Sequence, residues 1–115
     1  MSATATMSPE KTVSHGVVAI YKEYLGKGAD RAQTSITDRM SVTTLQGSMT
    51  KAEATLVKGG DSETVREMRR KFQRAMRDDI IDLVERVTQR ECGCFLSDHD
   101  TEHDIAVEMV VFKPE

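Results

Sequence analysis

The sequence predicts an α+β fold, with an antiparallel four-stranded sheet made of two hairpins and packed on one long and two shorter helices, in the order α-ββ-α-α-ββ. Three observations predict it. Apolar residues recur at helical spacing without a breaker from Val65 to Val87. Two pairs of short β-prone segments flank the central helices. No strand–helix–strand alternation calls for a parallel sheet, so the helices are expected on one side of an antiparallel one.

The first helix is expected to open at Ser8-Pro9-Glu10, where a capping hydroxyl precedes proline and then an acid. Residues 1–8 read as a disordered tail of small polar residues, and 9–113 as one domain. Val13, Val17, Ile20, Tyr21, Tyr24 and Leu25 form one apolar stripe, and Gly26 closes the helix. Thr, Ser, Ile and Val then dominate, with Asp38 midway, which predicts a hairpin over roughly 31–37 and 40–47.

Thr50 and Glu53, three residues apart, form a capping box, and Gly59-Gly60 ends the short helix that it opens. Asp61 or Ser62 caps the long helix, whose Val65, Met68, Phe72, Met76, Ile80, Leu83 and Val87 lie on one face. At 1.5 Å per residue it spans about 42 Å, against about 34 Å for the diameter of a compact domain of this length. A homodimer covering the overhang is the simplest remedy. The last hairpin is expected from Glu91–Ser97 and Ile105–Phe112, with Ile105, Val107, Met109 and Val111 sharing a face and an acidic loop over 98–104. On a strand, Cys92 and Cys94 would share a face, a poor geometry for a mutual disulfide.

The chain is 38% hydrophobic and 30% charged, which permits a modest aliphatic core. Its net charge of −3 hides an asymmetry. Residues 63–77 carry six basic and two acidic side chains, whereas 78–108 carry two basic and ten acidic ones. An acidic chain is a poor general nucleic-acid binder. No apolar run approaches the roughly 20 residues that cross a bilayer. The N-terminus lacks the basic and apolar regions of a secretory signal, and a cytoplasmic location is expected.

On the long helix Arg66, Arg70, Arg74 and Arg77 project onto one flank of the apolar stripe, while Arg69 falls within its edge. Three readings stay open. The arginines could be a solvated face on which Arg69 snorkels. Arg69 could meet Asp79 of an antiparallel second copy as a dimer pair. Arg66, Arg69, Arg70, Arg74 and Arg77 could also bind an acidic partner, a nucleotide or another small anion. His99 and His103 stand four apart among acids, but nothing marks a third ligand, so no metal site is assigned. No phosphate loop, nucleophile elbow or cofactor motif is present. The expectation is a non-enzymatic protein without a cofactor, with a metal-dependent enzyme using His99 and His103 as a remote alternative.

The succession Tyr21-Lys22-Glu23-Tyr24-Leu25-Gly26-Lys27-Gly28, Met49-Thr50-Lys51-Ala52-Glu53, Val65 to Phe72, and Ser97-Asp98-His99-Asp100 before a final β-run resembles the MpsC family. The resemblance covers roughly residues 10–113. It departs from the pattern at Ala29, where proline is usual, at Met49, where leucine is usual, and at Gln89, where glycine would be expected. That family is named for a sodium-translocating, membrane-potential-generating system. The resemblance implies a soluble accessory or regulatory protein of an ion- or bicarbonate-transport system, with no membrane insertion and no active-site residues to carry over. Its partner could be the cytoplasmic face of a transporter.

Overall fold

The computed structural model describes residues 7–115, so most of the expected tail lies outside the described residues. The elements are α1 (Pro9–Leu25), β1 (Arg31–Ile36), β2 (Met40–Gln46), α2 (Lys51–Lys58), α3 (Ser62–Thr88), β3 (Cys92–Asp100) and β4 (Ile105–Phe112). The four strands form one antiparallel sheet in the order β1-β2-β4-β3. Both the fold class and the element order match those predicted.

The helix ends follow from local chemistry. Ser8 Oγ accepts from the Lys11 N–H with Pro9 in the first turn, and Gly26 closes α1 in the left-handed region at φ 80°. Thr50 and Glu53 make both bonds of the capping box. Asp61 caps α3, and Gln89 ends it at φ 59°, taking the left-handed conformation that glycine would adopt more readily.

The helices cover one face of the sheet, with α1 over β1 and β2 and α3 over β3 and β4. The core combines Val13, Val17 and Tyr21 of α1, Met76, Ile80, Leu83 and Val84 of α3, and Leu45, Ala106, Val110 and Phe112 of the sheet. Ile105, Val107, Met109 and Val111 do share a face, but it is the outer one. Their even-numbered neighbours Ala106, Glu108, Val110 and Phe112 point to the helices. On that outer face Leu96 is 53% exposed and Ile105 38%.

Three further expectations are corrected. The strand β3 continues through Asp100, which places His99 inside it and shortens the connection to β4. A β-bulge at Gly93 shifts the register so that Cys92 pairs with inward Phe112 and Cys94 with outward Val111. The two cysteines therefore lie on opposite faces. The molecule is also elongated, at 50 × 34 × 20 Å. With 27 residues, α3 is about 40 Å long, which is shorter than that longest dimension.

Candidate functional site

The N-terminal half of α3 departs from the simple apolar stripe. Its buried positions are Val65, Arg69 and Gln73, two of them polar, while Met68 and Phe72 are only partly buried. Each polar residue has a specific reason to be there. Arg69, 1% exposed, donates from Nε to Glu53 Oε2 at 2.7 Å and from Nη2 to Glu53 Oε1 at 3.0 Å. It also donates to Ser48 Oγ at 3.1 Å and to the Ser48 carbonyl at 2.8 Å, and its guanidinium lies 6.0 Å from the Tyr21 ring centroid. Burial alone would raise the Glu53 carboxyl, but hydrogen bonds from Arg69 and Thr50 and the guanidinium charge hold it below the usual carboxylate range.

One of the three open readings placed Arg69 opposite Asp79 of a second copy; within the chain Arg69 is paired with Glu53. Arg69 is fully engaged within the chain by α2, and Asp79 accepts a hydrogen bond from the Tyr24 hydroxyl at 2.7 Å. Glu53 was legible only as a capping residue. Its second role appears once the Gly59-Gly60 turn folds α2 back along α3.

Beside this pair lies a second buried polar group. Glu108 of β4, 2% exposed, accepts from the Tyr21 hydroxyl and, at 3.4 Å, from Gln73 Nε2. Gln73 Nε2 also donates to the Asp98 carbonyl at 2.9 Å, which ties α3 to β3. Burial pushes the Glu108 carboxyl up to about 7, against the opposing influence of Ser97, Tyr21, Gln73 and Arg69. The same burial, with the adjacent Glu108 charge, raises the Tyr21 phenol above its ordinary value. Ser97 Oγ, His99 Nδ1 and Glu108 Oε1 are buried without a hydrogen-bond partner among the described residues.

The arginines of the flank do come together. Arg70, Arg74 and Arg77 line a cleft of about 260 Å³ between α3 and β3, completed by Gln73, Phe95 and Ser97. Arg66 and Arg70 also line an open groove with Asp98, His99 and Asp100 at the C-terminal end of β3. Arg66 pairs with exposed Glu63 and Arg77 with exposed Asp78. Arg70 and Arg74 have no ion-pair partner among the described residues.

The two histidines are not brought together. Buried His99 donates from Nε2 to Asp104 Oδ1 at 2.9 Å, and Asp104 Oδ2 accepts from the Met49 N–H at 3.0 Å. Exposed His103 is held by Asp100 at 2.6 Å, a bond that raises the imidazole and lowers the carboxyl. Among the described residues no three His, Cys, Asp or Glu side chains gather in a group able to hold a metal ion.

A family model described as the Na+-translocating membrane potential-generating system (MpsC) matches residues 6–114, essentially the whole chain. The chain belongs to the MpsC family. No curated protein and no solved structure matches it. In this MpsC chain the four segments that carry the resemblance converge on the polar region just described. Tyr21 comes from the first, Glu53 from the second, Arg69 from the third and His99 from the fourth. Among the described residues no helix is long and apolar enough to cross a membrane.

Proposed function

We propose that this chain is a non-enzymatic, cytoplasmic accessory protein of a sodium-translocating, membrane-potential-generating system, and that its α3 arginine row docks an acidic segment of a protein partner. The observation that carries the reading is the row Arg66, Arg70, Arg74 and Arg77. All four are exposed on one flank of a rigid helix, and two of them have no ion-pair partner among the described residues. Four guanidinium groups held in one line are suited to a run of carboxylates. By contrast, the chain's other arginine on this half of α3, Arg69, is committed to Glu53 and contributes to shape. The family's link to a transport system supplies the setting.

The reading includes a homodimer formed through the outer face of the sheet. Exposed Leu96 and Ile105 stand there with half-buried Met40, Val42, Met109 and Val111, and contiguous apolar surface of this kind marks an interaction site.

Co-expression of the tagged chain with the membrane subunits of such a system, followed by capture from detergent extracts, tests the docking. Capture is expected from the native chain, falling with added salt, and is expected to vanish in Arg70→Glu/Arg74→Glu. Undiminished capture by that variant would overturn the assignment of the surface. Light scattering tests the dimer separately. The native chain is expected at about twice 12.8 kDa and Leu96→Glu/Met109→Glu at the monomer mass, and a native monomer refutes the sheet interface.

A further inference from the structure

We propose that the cleft between α3 and β3 binds a small oxyanion of the phosphate class, held by Arg70, Arg74 and Arg77 over the hydroxyl of Ser97. Three features of the cleft carry this. The first is its charge. Arg70, Arg74 and Arg77 follow at steps of four and three along α3, all face β3, and no carboxylate side chain is among the lining residues. In a chain of net charge −3, a concavity lined by three cations and no acid is a local reversal of sign. The second is the availability of those cations. Arg70 and Arg74 have no ion pair among the described residues, and the partner of Arg77, Asp78, is a neighbour in sequence on the exposed side of the helix.

The third is the floor. Ser97 Oγ is buried and unpartnered, although buried hydroxyls nearly always have a hydrogen-bond partner. An oxyanion seated between the guanidinium groups and β3 would accept from that hydroxyl once the Ser97 side chain turns from beneath the cleft surface towards it. Nearby, Gln73 Nε2 is already spent on the Asp98 carbonyl and Glu108, and Ser97 stands opposite Glu108 in the β3–β4 register, so an oxyanion would draw the Ser97 hydroxyl away from that carboxyl.

Size and wall composition narrow the ligand. At about 260 Å³ the cleft lies below the roughly 300–1,000 Å³ range of drug-sized ligand pockets, and it offers a single aromatic ring, that of Phe95. It therefore fits inorganic phosphate or a compact phosphate monoester better than a nucleotide. Three positive charges favour a dianion over a monocarboxylate, and the planar fork of each guanidinium matches two oxygens of a tetrahedral anion. The inference shares its arginines with the proposed docking surface but needs no partner protein. Bound oxyanion would occupy the cations that an acidic segment uses, so the two ligands would compete.

The test is isothermal titration of the isolated full chain with inorganic phosphate, sulfate and glycerol phosphate at constant ionic strength set with chloride. One saturable site per chain is expected for phosphate and sulfate. Glycerol phosphate binding equally well would identify a monoester, and its exclusion would identify the free ion, both within the proposed class. Arg70→Gln and Arg74→Gln are each expected to weaken binding roughly tenfold or more, the loss of a charge-assisted hydrogen bond. Ser97→Ala should weaken it several-fold. Arg31→Gln, on the far edge strand, is the control for bulk charge and should leave it unchanged. No saturable heat, or equal affinity in the Arg70→Gln/Arg74→Gln double variant, overturns the site. Partner capture that persists while anion binding is absent removes this inference alone, and the reverse result removes only the docking.

Discussion

The buried pair Arg69–Glu53 yields the most direct prediction, because its cost can be worked from geometry. Both side chains are 1% exposed, and the guanidinium makes two bonds to the carboxylate and two to Ser48. Arg69→Met removes the cation while keeping much of the side-chain volume, leaving a carboxylate buried without its partner. Breaking a buried pair in this way costs about 3–5 kcal/mol, against a total stability of roughly 5–15 kcal/mol for a domain. Glu53→Gln should cost less than Arg69→Met, because the amide oxygen can still accept from the Thr50 N–H that now donates to Glu53 Oε1 at 2.9 Å. The double change Arg69→Met/Glu53→Gln should be milder than the sum of the two, since no uncompensated charge remains. The assay is urea unfolding followed by far-ultraviolet circular dichroism, at several pH values. In the native chain the Glu53 carboxyl is held low, so its contribution is present above the unfolded carboxyl value near about 4.3 and is lost as pH falls through the folded value. In Arg69→Met that carboxyl is pushed upward instead, so the deficit seen at neutral pH should shrink towards acid. A deficit below about 1 kcal/mol at pH 7, or one that stays parallel to the native curve down to pH 4, would refute the reasoning.

Three further predictions rest on separate features. Glu108 is raised to about 7 by burial, so protonated Glu108 favours the folded state at low pH and that benefit is lost as pH rises through about 7. Facing it are Tyr21 of α1, whose phenol the same burial raises, Arg69 and Gln73 of α3, Ser97 of β3 and Thr43 of β2. The native chain should therefore be less stable at pH 8 than at pH 6, and Glu108→Gln should flatten most of that slope. Exposed His103 acts with the same sign, so a slope unaltered in Glu108→Gln but abolished in His103→Gln would reassign it. Gly16 sits where α1 crosses α3, and a Cβ there would lie 2.5 Å from Leu83 Cδ2. Gly16→Ala should thus destabilise by about 1–2 kcal/mol despite alanine's better helix propensity, and should become neutral or stabilising in a Leu83→Ala background. Cys94 is exposed, whereas burial, reinforced by Glu85, pushes the half-buried Cys92 thiol up. Maleimide should label Cys94 rapidly and Cys92 slowly, with the fast phase absent in Cys94→Ser.

What was legible in the sequence was what depends on neighbours along the chain. Ser8-Pro9, the Thr50–Glu53 box and Gly26 mark helix ends because capping is settled within four residues. The hairpin at Asp38 was legible for the same reason, since Thr37 Oγ1 accepts from the Arg39 and Met40 N–H groups to close it. Strand faces were not. Ile105, Val107, Met109 and Val111 read as the stronger apolar set, yet the opposite set, containing Glu108, faces the helices. Hydrophobicity alone could not say which face turns inward there, because Tyr21 and Gln73 supply the partners that let a carboxyl enter the core, and those partners lie 87 and 35 residues away. The bulge at Gly93 was similarly hidden, as it depends on the register against Val111 and Phe112.

The arginines show how the same limit bears on function. Arg69 and Arg70 are adjacent and chemically identical, and a helical projection separates them by only 100°. The fold gives them opposite fates. Arg69 turns towards α2, where Glu53 and Ser48 take four hydrogen bonds from its fork. Arg70 turns towards β3 and meets Phe95, Ser97 and other cations. A buried cation satisfied at four points fixes α2 and the loop before it onto α3. An uncompensated one on the next residue is left to whatever anion approaches. The rigid setting of Arg69 therefore holds the first turns of α3 in place, and with them the spacing between Arg70, Arg74 and β3. The proposed docking surface and the proposed oxyanion cleft would thus depend on Glu53, which neither ligand would touch, and Glu53→Gln should weaken oxyanion binding through geometry even though it removes a negative charge from the chain.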